Sequence, residues 1–286
     1  MKKILFYTFG LLFFAACQSE NNTQDEVQNE TIEWRIVSLK GVYTEMIFDL
    51  GMGDKIVGVD VTSAFPEAVN GIAKVGHISG VTASGLSSVN PNLVFYPKDE
   101  LSVEVVKQLE DLGIQCVALE QDFTAEGTER LFKKIAEVLG KSAEAESALE
   151  KFRADMREFQ ATPSSKKVCF IYARGAGTVM VAGGNTPMGA LIKLVGAVNP
   201  FESYDGFVPL NAEAMVKENP DVFFMFETGV QSLGGENAVF AMEGVSLTAG
   251  AKNKSLIVMD GSLASSFGLR LPQALIELQT QLSKFK

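Results

Sequence analysis

Ala83-Ser84-Gly85-Leu86-Ser87-Ser88-Val89-Asn90-Pro91-Asn92-Leu93-Val94-Phe95 reads as a short helix, a stop and a buried strand. Proline ends the helix because it has no N–H to donate and because it restricts the residue before it. The same order returns later as Ala212-Glu213-Ala214-Met215-Val216-Lys217-Glu218-Asn219-Pro220-Asp221-Val222-Phe223-Phe224. Equivalent placement in both halves predicts two lobes of similar build. Two lobes create a cleft, and clefts between domains are favoured ligand sites.

The flanking sequence supports that reading. In the first half, strands are expected over 35–39, 55–60, 92–96 and 114–119. Helices are expected from Thr44, with Met46, Ile47 and Leu50 on one face and Gly51 as a stop, and over 103–112, ended by Gly113. After Pro163-Ser164-Ser165 the alternation restarts, with strands over 168–172, 221–226 and 255–259 and helices over 187–195 and 272–285. Strands alternating with helices imply an α/β fold with parallel sheets and helices on their faces. Between the halves, 124–139 and 142–159 have helical period, and the second stretch is highly charged and free of Gly and Pro. It reads as a long helix joining the lobes. The expected organisation is a first lobe over 34–140, a bridging helix over 141–162 and a second lobe over 163–286.

The N-terminus predicts the compartment. Lys2 and Lys3 precede an apolar run from Ile4 to Phe14, then Ala15, Ala16 and Cys17. This is the pattern of a secretory signal, and the run is shorter than the about 20 residues of a membrane span. Phe14-Ala15-Ala16-Cys17 resembles a bacterial lipobox, so residues 1–17 are expected to be a leader ending at a lipidated Cys17. Residues 18–33 are polar and expected to form a disordered tether. The expected protein is exported, lipid-anchored, periplasm-facing and monomeric. A formal charge of -10 argues against a nucleic-acid partner. Cys116 and Cys169 sit in apolar strand contexts and read as small apolar residues.

The chain has one histidine, His77, which excludes a metal site built on several. A Ser-His-Asp machine would have to use it, and no Gly-x-Ser-x-Gly elbow occurs. Gly175-Ala176-Gly177 and Gly183-Gly184-Asn185 match neither a phosphate loop nor a full dinucleotide fingerprint; they read as turns that let backbone approach the cleft. A binding protein rather than an enzyme is expected, with a secreted α/β hydrolase-like enzyme as the rival class. His77 lies in Lys74-Val75-Gly76-His77-Ile78-Ser79-Gly80, a loop before the first repeat helix. It reads either as a solvated imidazole or as an axial haem ligand, and local spacing does not separate the two.

From about Arg35 onward the chain resembles the substrate-binding proteins of bacterial ABC importers for haem, cobalamin and ferric siderophores, above all the haemin-binding branch. The likeness is carried by Arg35-Ile36-Val37-Ser38-Leu39, Thr44-Glu45-Met46, Val57-Gly58-Val59-Asp60, Phe65-Pro66-Glu67-Ala68 and Lys74-Val75-Gly76. In the second half it is carried by Pro209-Leu210-Asn211-Ala212-Glu213-Ala214, Ser232-Leu233-Gly234-Gly235 and Phe267-Gly268-Leu269-Arg270-Leu271-Pro272. The resemblance implies two Rossmann-like lobes bridged by one rigid helix, haem as transported ligand rather than catalytic cofactor, and delivery to a membrane permease. Cobalamin and ferric siderophores are the alternative cargoes.

It also assigns residues. The position after Lys-Val-Gly is usually an iron-ligating tyrosine; here it is His77, and imidazole also binds haem iron. Arg174 falls where some relatives place a second polar contact, and a guanidinium pairs well with a propionate. Tyr204 and Arg270 are further ligand candidates, with simple packing the alternative for Tyr204 and a structural role the alternative for Arg270; Met180 offers a thioether, but core packing is its expected role. The family docks on its permease through one acidic residue per lobe. Glu213 matches in the second lobe; Ser84 occupies the first-lobe position, and Glu67 is the expected substitute.

Overall fold

In the computed structural model, which describes residues 32–285, the first half builds a sheet of β1 (Ile36–Ser38), β2 (Ile56–Val59), β3 (Leu93–Pro97) and β4 (Gln115–Leu119). Its order is β2-β1-β3-β4 and every pairing is parallel. The second half builds β5 (Val168–Ala173), β6 (Val179–Ala182), β7 (Phe207–Pro209), β8 (Val222–Phe226) and β9 (Leu256–Met259). Here the order is β7-β6-β5-β8-β9, with β5, β8 and β9 parallel.

β6 and β7 run antiparallel, which the reading of purely parallel sheets did not anticipate. The reason is the short link after β5. Gly175 takes a left-handed φ of 72°, and Arg174 N–H donates to Thr178 O at 2.9 Å, so the chain turns straight back. A parallel return needs a crossover of a dozen residues or more, and none is available there. A Cβ on Gly183 would collide with the carbonyl of Tyr204 and one on Gly184 with that of Glu202, so these glycines admit neighbouring backbone.

The repeat is reproduced in detail. Thr82 Oγ1 accepts from Gly85 N–H at 3.1 Å to start the helix Ala83–Ser87, and Asn211 Oδ1 accepts from Ala214 N–H at 2.8 Å to start Ala212–Glu218. Both are side-chain caps of orphan helix donors. Asn90 and Asn219 both adopt left-handed backbone, with φ of 50° and 49°, just before their prolines. Asparagine tolerates that region better than most residues. Asn92 Oδ1 then accepts from Arg35 N–H and Asp221 Oδ2 from Lys167 N–H, each at 2.8 Å. In each half the residue after proline thus ties down the start of that half's first strand.

The two sheets share one core. A single apolar cluster joins Val42, Met46 and Phe132 from the first half to Phe170, Leu263 and Leu271 from the second. The helix Ala125–Leu139 ends at Gly140, left-handed at φ 68°, and Ser142–Glu158 packs Ala145, Leu149 and Phe152 inward. Everything from Trp34 onward forms one compact unit.

A buried ion pair crosses this apolar seam. Glu45, on the helix Gly41–Asp49, is buried; Arg270, at the start of Leu271–Leu282, donates to it from Nε at 2.9 Å and from Nη2 at 2.8 Å. Burial raises the Glu45 carboxyl above its usual range, and the Arg270 guanidinium pulls it part of the way back. Arg270 also stacks over the Phe65 ring, its Cζ 3.7 Å from the centroid. Removing one member of a buried pair strands the other charge and costs about 3–5 kcal/mol. Urea unfolding of Arg270→Met is therefore expected to show a loss of that size, with Glu45→Gln/Arg270→Met recovering much of it.

Candidate functional site

The first-half rim is built where the chain leaves β2. Asp60 sits fully buried at the strand end. It accepts from Thr62 N–H at 3.0 Å, from Thr62 Oγ1 and from Ser63 Oγ at 2.6 Å. Ser63 Oγ lies 2.9 Å from Thr44 Oγ1, which donates to Ser38 Oγ at 2.8 Å. Lys74 Nζ donates to Ser63 O at 2.6 Å, and Lys74 pairs with Val59 beside the strand. This knot closes the excursion over 60–74 and delivers the chain to Gly76, whose φ of 115° only glycine adopts readily.

His77 follows directly, exposed, and caps the one-turn helix Ile78–Gly80. Its Nδ1 accepts from Ser79 N–H at 3.3 Å and lies 2.8 Å from Ser79 Oγ. Among the described residues Nε2 has no partner. One ring nitrogen is engaged, and the other is without a partner among the described residues.

The second-half rim is aromatic. Tyr172, Met180 and Pro209 stand in register across β5, β6 and β7, and register partners share a face. Phe207 packs edge-on to Phe170 and Tyr172, each at 6.2 Å, and Phe226 packs on Phe170 at 4.8 Å. Phe207 nevertheless remains 37% exposed. Arg174 is exposed just past β5 and has no ion pair among the described residues. Its turn is fixed by Gly175 N–H donating to Ser232 Oγ at 3.0 Å.

The sequence candidates are therefore distributed unevenly. His77 and Arg174 stand at loop tips with free polar atoms. Met180 shares the aromatic face. Arg270 has its guanidinium committed to Glu45 and Phe65, the partners of a residue that joins the halves. Tyr204 stacks on Phe201 at 5.3 Å against the cluster of Cys169, Ile171 and Val181, on the opposite face of the sheet from Tyr172. Glu213 is exposed in the first turn of its helix, Glu67 is exposed at the start of the turn Glu67–Gly71, and Ser84 is exposed at the matching place in the first repeat helix. Cys17, the leader and nearly all of the tether lie outside the described residues.

Tyr172 and Phe207 were missed. The signal for Tyr172 was its position two residues after Phe170 and two before Arg174, which puts it on the Phe170 face of the strand. Cys116 and Cys169 are free thiols; Cys116 is half-buried on the edge strand, and burial and Glu110 push it up to about 11. Among the described residues no helix is long and apolar enough to cross a membrane.

Two α/β halves fused through a shared core, with loop-borne polar groups at their rims, define a solute-binding protein. The sequence pattern of the periplasmic binding protein family matches residues 36–263, and the chain belongs to that family. The family comprises solute binders, in general not catalysts. YvrC of Bacillus subtilis (strain 168), an uncharacterized ABC transporter substrate-binding lipoprotein, is 26% identical over 268 residues, covering 90% of this chain and 83% of that protein. A vitamin B12-binding protein of Vibrio campbellii (strain ATCC BAA-1116) is 24% identical over 193 residues, 66% of this chain and 70% of its own length. Among solved structures, the periplasmic heme-binding protein RhuT from Roseiflexus sp. RS-1, in apo form, superposes with a TM-score of 0.82 at 27% identity, over 88% of this chain and 99% of that one. The periplasmic heme-binding protein BhuT in complex with two hemes gives 0.83 at 25% identity, over 88% and 98%. The fold class and the family expected from the sequence are both borne out.

The Asp60 knot yields a direct test of how the His77 loop is held. Asp60→Ala leaves Thr62 and Ser63 without their buried acceptor, a loss of about 1–3 kcal/mol. Hydrogen exchange is expected to accelerate across 60–77 in that variant while β5 and β8 keep their protection.

Proposed function

We propose that this protein is the exported, lipid-anchored substrate-binding component of an ABC importer, and that its cargo is haem. The observation that carries the reading is His77, the sole histidine, with Nδ1 held by Ser79 and Nε2 free of any partner among the described residues. A neutral ring nitrogen is a good axial ligand for haem iron. The macrocycle is flat and apolar, and the half-exposed wall of Tyr172, Phe207 and Met180 offers the surface such a ligand buries. Its propionates need cations, and Arg174 is exposed and unpaired. The solved structures named above are of heme-binding proteins, which adds weight to this cargo.

On the same reading Cys17 carries the lipid, and Glu213 and Glu67 are the acidic contacts for the membrane permease. Arg270 and Tyr204 are engaged otherwise, the first as a link between the halves and the second in packing on the sheet face opposite Tyr172. A second cargo is favoured by one finding, the likeness to vitamin B12-binding proteins. Cobalamin would make little use of His77. An anionic ferric siderophore, the third alternative, would use Arg174 and need no imidazole.

Titration of the purified protein with haemin distinguishes these cargoes. A shifted Soret band is expected for the wild type and its loss in His77→Ala. Arg174→Ala is expected to keep the band and bind about 10- to 100-fold more weakly, the effect of losing a hydrogen bond to a charged group. Specific binding of cyanocobalamin with no Soret shift on haemin addition would overturn the haem assignment.

A further inference from the structure

We propose that Ser79 is a positioning residue that directs the hydrogen on the His77 ring, keeping it on Nε2 in the cargo-free protein and accepting it from Nδ1 once Nε2 takes iron. The inference rests on the reading of His77 as the iron ligand. It starts from the fact that a backbone amide can only donate. Ser79 N–H is aimed at Nδ1 at 3.3 Å, so in the neutral ring Nδ1 holds a lone pair and the hydrogen sits on Nε2. Iron needs the lone pair of Nε2. The free and bound proteins therefore require opposite tautomers.

The exchange balances without any net proton uptake. The N–H bond at Nε2 breaks and its proton passes to solvent, while Nδ1 gains a proton from solvent; nothing is oxidised or reduced. Ser79 Oγ, 2.8 Å from Nδ1, is the group that makes the second state possible. A hydroxyl can donate in one state and accept in the other, so it rotates its hydrogen away and accepts from Nδ1. Ser79 is exposed, so its hydroxyl hydrogen, once turned from Nδ1, reaches water. The turn survives because Gly80 N–H still donates to His77 O at 2.8 Å. Metal-binding histidines nearly always donate their second N–H to such an acceptor, and losing it typically weakens metal binding about 10- to 100-fold. Among the described residues Ser79 is the hydrogen-bond partner of this ring.

The experiment has one arm without cargo and one with it. Long-range proton–nitrogen correlation on the nitrogen-15-labelled, cargo-free protein is expected to show hydrogen on Nε2 of the neutral ring, in wild type and in Ser79→Ala alike, because the amide remains. With haemin, Ser79→Ala is expected to bind about 10- to 100-fold more weakly and to hold iron at a higher reduction potential. Ser79→Thr restores both values, and Ser79→Asp, a stronger acceptor, lowers the potential below the wild type. Hydrogen on Nδ1 in the free protein overturns the proposal. So does an unchanged potential in Ser79→Ala that still ligates through His77. A wild type that shows the Nε2 tautomer yet fails to bind haemin overturns instead the haem reading and the bound half of the proposal with it.

Discussion

Glu45 and Arg270 meet across 225 residues of sequence, and the relation of the two halves depends on that contact. A buried carboxylate is costly unless it is paired and hydrogen-bonded. Here both oxygens are used by one guanidinium, which is itself covered by Phe65. The neighbouring contacts reinforce the seam. Gln121 Nε2 donates to Ser266 O at 2.8 Å, Thr128 Oγ1 donates to Phe267 O at 2.7 Å, and Phe123 packs edge-on to Phe267 at 5.4 Å. Phe267 is held in left-handed backbone at φ 47°, a conformation that persists for a bulky residue only where its surroundings over-determine it. The segment from Phe267 to Arg270 is thus a clasp, and its strain is the mark of how firmly it is closed.

A clasped seam with a continuous apolar core leaves little freedom for one half to swing on the other. Recognition then rests on groups that the fold has already set in place, and pre-organisation of this kind lowers the ordering cost of binding. On the proposed reading the two rims divide the work. The first offers one imidazole on a loop tied to its sheet through Asp60, Ser63 and Lys74. The second offers aromatic area and one unpaired cation. This division suits a flat ligand with a metal at its centre and charge at its edge.

The repeat was legible because its decisive residues are local. Asn-Pro disfavours continuation of a helix, and the short apolar runs rich in Val and Phe behind it favour strands. The antiparallel pair β6 and β7 was hidden because β7 is three residues long and β6 follows a turn whose glycines carry no directional signal. The fate of Arg270 was hidden for a different reason: its partner is distant in sequence, and an arginine in isolation reads equally as a ligand contact or as half of a buried pair. Tyr204 and Tyr172 illustrate the value of register. Strand alternation puts Tyr172 on the Phe170 face, and the pairing of β6 with β5 and β7 brings Met180 and Phe207 to it, while Tyr204 follows Phe201 to the other face. His77 and Ser79 lie within one short window, yet nothing in that window states which ring nitrogen is engaged, because that follows from the backbone turn.

The most direct test of the account is the position of iron in crystals of the protein grown with haemin, located by its anomalous scattering. The account predicts one peak within bonding distance of His77 Nε2, with the macrocycle against Tyr172 and Phe207. An iron peak remote from His77, with the macrocycle specifically bound elsewhere, would contradict it.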